Sequence, residues 1–264
     1  MTETARVFVG CAPNHEDAES QAVLEWSIRK HASVPVEIAW LKLRREGPLS
    51  DWHTKGWPTP FSGLRWAVPE LAGFQGRAIY MDSDVMVLGD IAELLNQPLA
   101  PGKAIAAKGP GRLCVSLWDC AAVKPHMIPI EQLRQMPSNH RVMSARFRAL
   151  GRLIQPFAGG EWNNLDGEPS RIPVKALHYT SMPHQPHIPM AAKRLAKAGR
   201  QHWFDGKPAP HWRPEVIQMF ADLLEEAAAN GYPVERYCED DPFGSYQKRC
   251  LKNLVGRVPS WGRE

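Results

Sequence analysis

Two carboxylates one residue apart, Asp82 and Asp84, close the apolar run Arg77-Ala78-Ile79-Tyr80-Met81, and a second apolar run, Val85 to Leu88, starts at once. A carboxylate is costly to bury unless it is paired or bound to a metal. Two of them at the mouth of a buried strand suit a hard divalent cation, and phosphates bridged by the metal are the usual partners of such a site. A polar turn between strands has the same spacing, and a chain of this length holds Asp-x-Asp by chance about half the time. The flanks shift the balance toward a site. Ile79-Tyr80-Met81 reads as a short buried strand, and Gly89-Asp90 marks a break. Asp90 to Leu95 then reads as a short helix, with Asp90 as N-cap and Glu93 placed for a capping box.

The elements that must hold this pair are legible upstream. Arg6 to Gly10 reads as a strand ending in glycine. Glu16 to His31 reads as a helix, with Ala18, Ala22, Val23, Trp26 and Ile28 close to a 3.6 period. Val36 to Leu41 alternates like a strand. Residues 44–60 carry Pro, Gly and Trp and read as a long surface loop; Ser62 to Leu71 reads as a helix despite Pro69. Strand, helix, strand, helix, strand predicts βαβ units and an α/β fold with a mainly parallel sheet. Ligands then sit at the carboxyl ends of the strands, which places Gly10, Cys11, Asp82 and Asp84 on one rim. Further strands are expected at Lys103 to Lys108, Leu113 to Ala122 and Val174 to Tyr179, and a basic, partly helical stretch at 130–150. Residues 180–213 show little regular pattern and read as a mobile loop. Pro214 to Asn230 has the clearest helical stripe (Val216, Phe220, Leu223, Leu224, Ala227), with Gly231 as its stop. The whole chain, 1–264, reads as one domain, with a core at 6–190 and a helical extension at 214–264.

Composition excludes several classes. Hydrophobic residues at 44% and charged residues at 23% are ordinary for a soluble domain. A net charge of +4 suits an anionic small substrate and falls short of a nucleic-acid footprint. Cys11, Cys114, Cys120, Cys238 and Cys250 are odd in number and scattered, without Cys-x-x-Cys, which argues for a reducing compartment and against a zinc cluster. No signal-peptide shape and no run of 18 apolar residues is present, so the expectation is a cytoplasmic protein. Its basic patches and ten tryptophans leave peripheral membrane contact open.

The segment Thr59-Pro60-Phe61-Ser62-Gly63-Leu64-Arg65-Trp66-Ala67-Val68-Pro69-Glu70-Leu71, followed by Ile79 to Ile91, resembles the family-8 retaining glycosyltransferases, the group of glycogenin and the bacterial lipopolysaccharide galactosyltransferases. Trp162-Asn163, His178-Tyr179 and the first strand with Asn14 add weaker matches, and the resemblance spans residues 6 to about 187. It implies a GT-A fold, a Rossmann-like sheet whose Asp-x-Asp binds manganese (or magnesium) and a nucleotide-diphosphate sugar, most readily a UDP-sugar. It assigns Asp82, Asp84 and His178 to the metal, and Ser83 with Met81 and Arg65 to the donor. Backbone atoms of Gly10, Cys11 and Ala12 would edge the base. Ala12-Pro13 stands where the family has an acidic residue. Ser181-Met182-Pro183-His184-Gln185-Pro186-His187 stands where it has Gly-x-x-Lys-Pro, so His184 or Gln185 takes the place of the lysine on the diphosphate. Between Asn139 and Arg148 there is no counterpart of the family's Asp-Gln-Asp, and no catalytic side chain is named. In retaining enzymes of this kind the donor phosphate itself can serve as base.

Plainer readings stand beside these. His178 could be a strand-end histidine on a carbonyl, and Arg65 a surface ion pair. His184 and His187 could widen a metal cluster or be loop histidines. Asp119 could meet the sugar or cap a turn; Trp162 could flank the acceptor or be core. Arg141, Arg146, Arg148 and Arg152 could meet an anionic acceptor or form a solvated face. Cys11 reads as an apolar filler. The first expectation is a metal-dependent transferase moving a hexose with retention to an unknown carbohydrate, lipid-linked or protein acceptor. Alternatives are a metal-dependent nucleotidyltransferase or phosphodiesterase, and a degenerate, non-catalytic sugar or nucleotide binder.

Overall fold

The structure, a computed structural model, describes residues 3–157, 159–238 and 243–244. Its strands are β1 (Ala5–Gly10), β2 (Val36–Leu41), β3 (Arg77–Asp82), β4 (Val85–Val87), β5 (Ile105–Gly109), β6 (Arg112–Asp119), β7 (Ile154–Pro156), β8 (Asn164–Leu165) and β9 (Ala176–His178). Its helices are α1 (Ala18–His31), α2 (Val68–Leu71), α3 (Ile91–Leu95), α4 (Cys120–Val123), α5 (Ile130–Gln135), α6 (Asn139–Ala149), α7 (His187–Lys197) and α8 (Pro214–Ala229).

Six strands form one sheet in the order β2-β1-β3-β6-β5-β7, and β4-β9-β8 form a second. In the large sheet only β6 runs against the others, so the mainly parallel sheet is observed with one reversed strand. Both faces are covered, as parallel strands require. Ala5, Val7 and Val9 of β1 pack with Leu24 and Ile28 of α1. Phe8, pointing the other way, joins Phe61, Leu64 and Tyr80. Because β6 is reversed, it begins on the rim where β1, β2 and β3 end, and Met81 pairs with Val115 there.

Local chemistry sets the helix ends. Asp90 caps α3 by accepting from the Ala92 N–H at 2.9 Å. Glu93 does not close a capping box; its carboxylate pairs with Lys175, which the β4–β9 pairing brings beside it. Pro69 falls in the first turn of α2, where its missing N–H costs nothing, and a single 3₁₀ turn, Leu64–Ala67, precedes it. α8 packs on α1 through Val216, Phe220 and Leu223 against Val23, and Gly231 ends it with φ of +86°.

Two expectations are corrected. Residues 44–60 are irregular but not a surface loop throughout. Trp52 and Trp57 are buried, and the Trp57 indole N–H donates to Asn139 Oδ1 at 2.6 Å. The 180–213 segment is not patternless either, because it contains α7. Ile188, Ala191 and Leu195 form the buried stripe of α7, and Arg194 clamps it to Glu19 at 2.7 Å. Of the 214–264 extension, α8 and a 3₁₀ turn at Val234–Tyr237 are described; the rest, with Cys250, lies outside the described residues. Cys11, Cys114, Cys120 and Cys238 are free thiols. No helix among the described residues is long and apolar enough to cross a membrane.

Candidate metal and donor site

Asp82 is the last residue of β3. Arg65 donates to both of its oxygens, at 3.0 and 3.1 Å, and the Tyr80 hydroxyl donates to Oδ1. Gly10 makes room for that hydroxyl: a Cβ there would lie 2.3 Å from it. Burial pushes the Asp82 carboxyl up, and the guanidinium works against that rise. Arg65 therefore forms a buried ion pair, neither a surface bridge nor a free donor-facing cation, although its side chain also lines the neighbouring cleft.

The second half of the site comes from the small sheet. Antiparallel pairing sets His178 of β9 beside Val85, and the Tyr179 N–H donates to the Asp84 carbonyl at 3.1 Å. His178 Nε2 then lies 3.0 Å from Asp84 Oδ1 in a buried ion pair. His178 Nδ1 lies 3.0 Å from Asn163 Oδ1. Asn163 uses its own N–H on Cys114 Sγ at 3.3 Å, so the oxygen faces the ring and Nδ1 must carry the proton there. That leaves Nε2 as the nitrogen facing Asp84, the one a cation would take once its proton leaves. Burial disfavours a charged His178, but the Asp84 and Cys114 charges outweigh it and hold its pKa well above the ordinary value. Asp84 is held low in return, burial being outweighed by His178. Gln185 Nε2 donates to Asp84 Oδ2 at 2.6 Å.

These residues fit a divalent cation. His178 stands between the two carboxylates, with Asp84 Oδ1 3.0 Å from its Nε2 and Asp82 offering a ligand atom within 4.8 Å of one of its ring nitrogens, and Asn163 orients its ring. Cys114 Sγ also lies in this group, within 4.8 Å of ligand atoms of Asp82 and His178. Mixed oxygen and nitrogen ligands suit manganese better than calcium.

Other expected donor contacts are placed differently. Met81 is fully buried in the core against α1 and does not reach the site. Ser83 Oγ donates to Asp17 Oδ2 at 3.1 Å, and the Ala12 N–H donates to the same oxygen at 2.6 Å. The Cys11 N–H donates to Leu41 O at 3.1 Å and the Gly10 carbonyl accepts from the Ser83 N–H at 2.9 Å. The Gly10 carbonyl and the Cys11 and Ala12 N–H groups are thus used within the chain. Burial pushes the Cys11 thiol up to about 12, in keeping with a filler. His184 bonds Ser181 Oγ at 2.9 Å and packs on Trp212, leaving Gln185 as the one of the two on the carboxylates. His187 is buried with its Nε2 3.8 Å from Asp17 Oδ1. His202, near both, accepts the Phe204 N–H on Nδ1 at 3.0 Å, which puts its proton on Nε2 and disfavours a second metal there. Asp119 caps α4, and Trp162 is core.

Two openings flank the carboxylates along the rim. A cavity of about 390 Å³ opens past the ends of β1 and β2, lined by Pro13, Asn14, His15, Lys42, Arg44 and neighbours. A larger cleft of about 740 Å³ opens on the β6 side, lined by Arg65, Pro110, His140, Arg141, Arg148 and neighbours. Asn163, Cys114 and Asp17 had no assigned role from the sequence. Their positions depend on pairings distant in the chain; only the adjacency of Asn163 to Trp162 hinted at one.

Solved structures with this architecture are glycosyltransferases. The galactosyltransferase LgtC, solved with donor and acceptor sugar analogues, superposes with a TM-score of 0.55 at 13% identity, over 86% of this chain and 96% of that one. The bifunctional glycosyltransferase WbbM gives 0.53 at 15% identity, over 90% and 52%. GlyE from Streptococcus pneumoniae TIGR4 gives 0.53 at 15%, over 92% and 66%. In sequence, Protein CDI of Arabidopsis thaliana is 40% identical over 94 residues, 34% of this chain and 35% of that protein. Glycosyltransferase 8 domain-containing protein 1 of Rattus norvegicus is 49% identical over 47 residues, 18% of this chain and 13% of that protein. The matched segments thus span about a third or less of those curated relatives. No family model matches the chain. The chain has the GT-A fold and resembles the family-8 glycosyltransferases in both sequence and structure.

Proposed function

We propose that this protein is a metal-dependent glycosyltransferase that moves a hexose from a nucleotide-diphosphate sugar to an acceptor with retention. The observation that carries the reading is the meeting of groups at His178, whose Nε2 faces Asp84 Oδ1 at 3.0 Å and which shares a set of ligand atoms within 4.8 Å with Asp82 and Cys114. Asp82, Asp84 and His178 would hold Mn²⁺ or Mg²⁺, which when bound supplies Lewis-acid stabilisation of the departing diphosphate. Asn163 orients the His178 ring, and Arg65 with Tyr80 orients the Asp82 carboxylate. Gln185, next to Asp84, is the residue placed to contact the donor phosphates. The 390 Å³ cavity past β1 and β2 is the seat this reading gives the base; uridine is the first base to test. Retention requires no protein nucleophile in this geometry, and the roles above need none.

The test is a thermal-shift series across nucleoside diphosphates, with and without Mn²⁺, on wild type and Asp84→Ala. A ligand that binds only the native state raises its apparent stability by mass action. The expected result is a shift with one diphosphate that needs Mn²⁺ and vanishes in Asp84→Ala. No shift with any diphosphate refutes the reading. A second reading is a binder without turnover, favoured by the lack of a counterpart to the family's Asp-Gln-Asp; Mn²⁺-dependent hydrolysis of the donor would exclude it.

A further inference from the structure

We propose that the cleft beside Arg65 binds the acceptor, and that this acceptor is a glycoside bearing an anionic group, a carboxylate or a phosphate. The proposal rests on the transferase reading for the word acceptor, and on the cleft itself for the charge.

The sheet order places the cleft. β3 ends in Asp82 and its neighbour β6 starts beside it, so the Pro110–Leu113 turn into β6 forms one wall immediately next to the carboxylates. α6 forms the facing wall. His140, Ser144 and Arg148 recur every four residues and Arg141 falls on the same stripe, seven before Arg148. Met143 and Phe147 of the same helix are buried, and Phe147 stacks on Trp66 at 5.4 Å, which fixes how the stripe faces. Arg65 touches both compartments: it holds Asp82 at 3.0 Å and lines the cleft. Anything seated in the cleft is therefore one side chain away from the proposed metal and donor. The volume, about 740 Å³, falls within the range of small-molecule sites.

The charge of the cleft is one-sided. Three arginines line it and no acidic residue does. Arg65 is neutralised by Asp82, but neither Arg141 nor Arg148 has a carboxylate partner among the described residues. Of the four basic residues weighed from the sequence, these two face the cleft and Arg146 and Arg152 do not line it. His140 is neutral there: burial, with the Arg65 and Arg148 charges, pushes its pKa down to about 3. Its Nδ1 accepts from the Trp66 indole at 3.2 Å and its Nε2 faces Ser144 Oγ at 3.5 Å, so the ring is held within the wall and adds no charge to the cleft. Two guanidiniums without a carboxylate partner among the described residues match a sugar that carries one anionic group, since guanidinium pairs with carboxylate and phosphate in a bidentate fork.

The experiment is calorimetric titration of the full chain with four probes: a neutral methyl hexoside, a methyl hexuronide, a hexose phosphate and inorganic phosphate. Each is run on wild type, Arg148→Gln, Arg148→Lys and Arg141→Gln/Arg148→Gln, with unfolding midpoints checking that the variants fold. The expected result is at least tenfold tighter binding of one charged sugar over the neutral one. That preference should fall at least tenfold in the double variant and be partly kept by Arg148→Lys. Which charged sugar wins identifies the anionic group. Equal binding of neutral and charged sugars, a preference that survives the double variant, or inorganic phosphate binding as tightly as the sugar phosphate would overturn the proposal. The nucleotide thermal shift on the same wild-type sample is read separately. If nucleotide fails while the charged sugar binds, the transferase reading falls and the cleft is an anionic-sugar site without an acceptor role, which overturns this assignment as well. If nucleotide binds while no charged sugar does, only the cleft proposal falls.

Discussion

Asn163 makes no contact with the proposed cation position, yet it decides which nitrogen of His178 can reach it. Removing such a second residue typically weakens a metal site by about 10- to 100-fold. Asn163→Ala should therefore lower Mn²⁺ affinity by about that factor, measured by metal titration; unchanged affinity would show that the tautomer is set elsewhere. Asp17 makes a different prediction. It is fully buried and burial pushes its pKa up to about 6, against hydrogen bonds from Ala12 and Ser83. The native state holds this proton more tightly than the unfolded chain, so the associated stability is present at about pH 4 and lost as pH rises through about 6. The cost of the ionised form above that is about 3 kcal/mol. Asp17→Asn should gain on wild type, by up to about that amount, between about pH 4.5 and 8 in urea unfolding. A pH-independent difference between the two proteins would contradict it.

At the scale of elements, α6 ties the site together through one residue. Asn139 is wholly buried. It accepts from Trp57 and donates to the His53 and Leu133 carbonyls at 3.1 and 3.2 Å, so it pins the 44–60 segment and α5 to the start of α6. Asn139→Ala strands two buried polar groups, the Trp57 indole N–H and the Leu133 carbonyl, each costing about 1–3 kcal/mol, and should lose about 2 kcal/mol or more in chemical denaturation. A loss under about 1 kcal/mol would mean that water replaces the amide. This is also the scale at which the sequence was unevenly informative. β1, β2, β3 and α8 were legible because alternation or a 3.6 period is local. α7 was hidden although Ile188, Ala191 and Leu195 are correctly spaced, because Pro186, Pro189 and the flanking cations resemble loop composition; Pro189 is tolerated only because it lies in the first turn. The burial of Trp57 was not readable, since Asn139 is 82 residues away.

For the whole molecule, the order of the sheet converts into an order of compartments along one rim: cavity past β1 and β2, carboxylates at β3, cleft at β6. Asp82 and Asp84 were readable from a local motif and His178 from the family resemblance, but Asn163 and Cys114 meet them only through long-range pairing, and Ser83 turned inward to Asp17 and Met81 into the core. The 180–213 segment reaches this rim at Gln185 and His187. Hydrogen exchange in α7 should slow when Mn²⁺ and a nucleoside diphosphate are added, and unchanged exchange would exclude a part for the segment in donor binding. Trp66 belongs to this rim as well. Its ring stacks on Phe147, meets Trp118 edge-on at 6.4 Å, donates to His140 and lines the cleft. An indole so placed is a built-in optical gauge: a guest that enters the cleft changes the surroundings of its ring, and the shift in its emission reports occupancy without label or turnover.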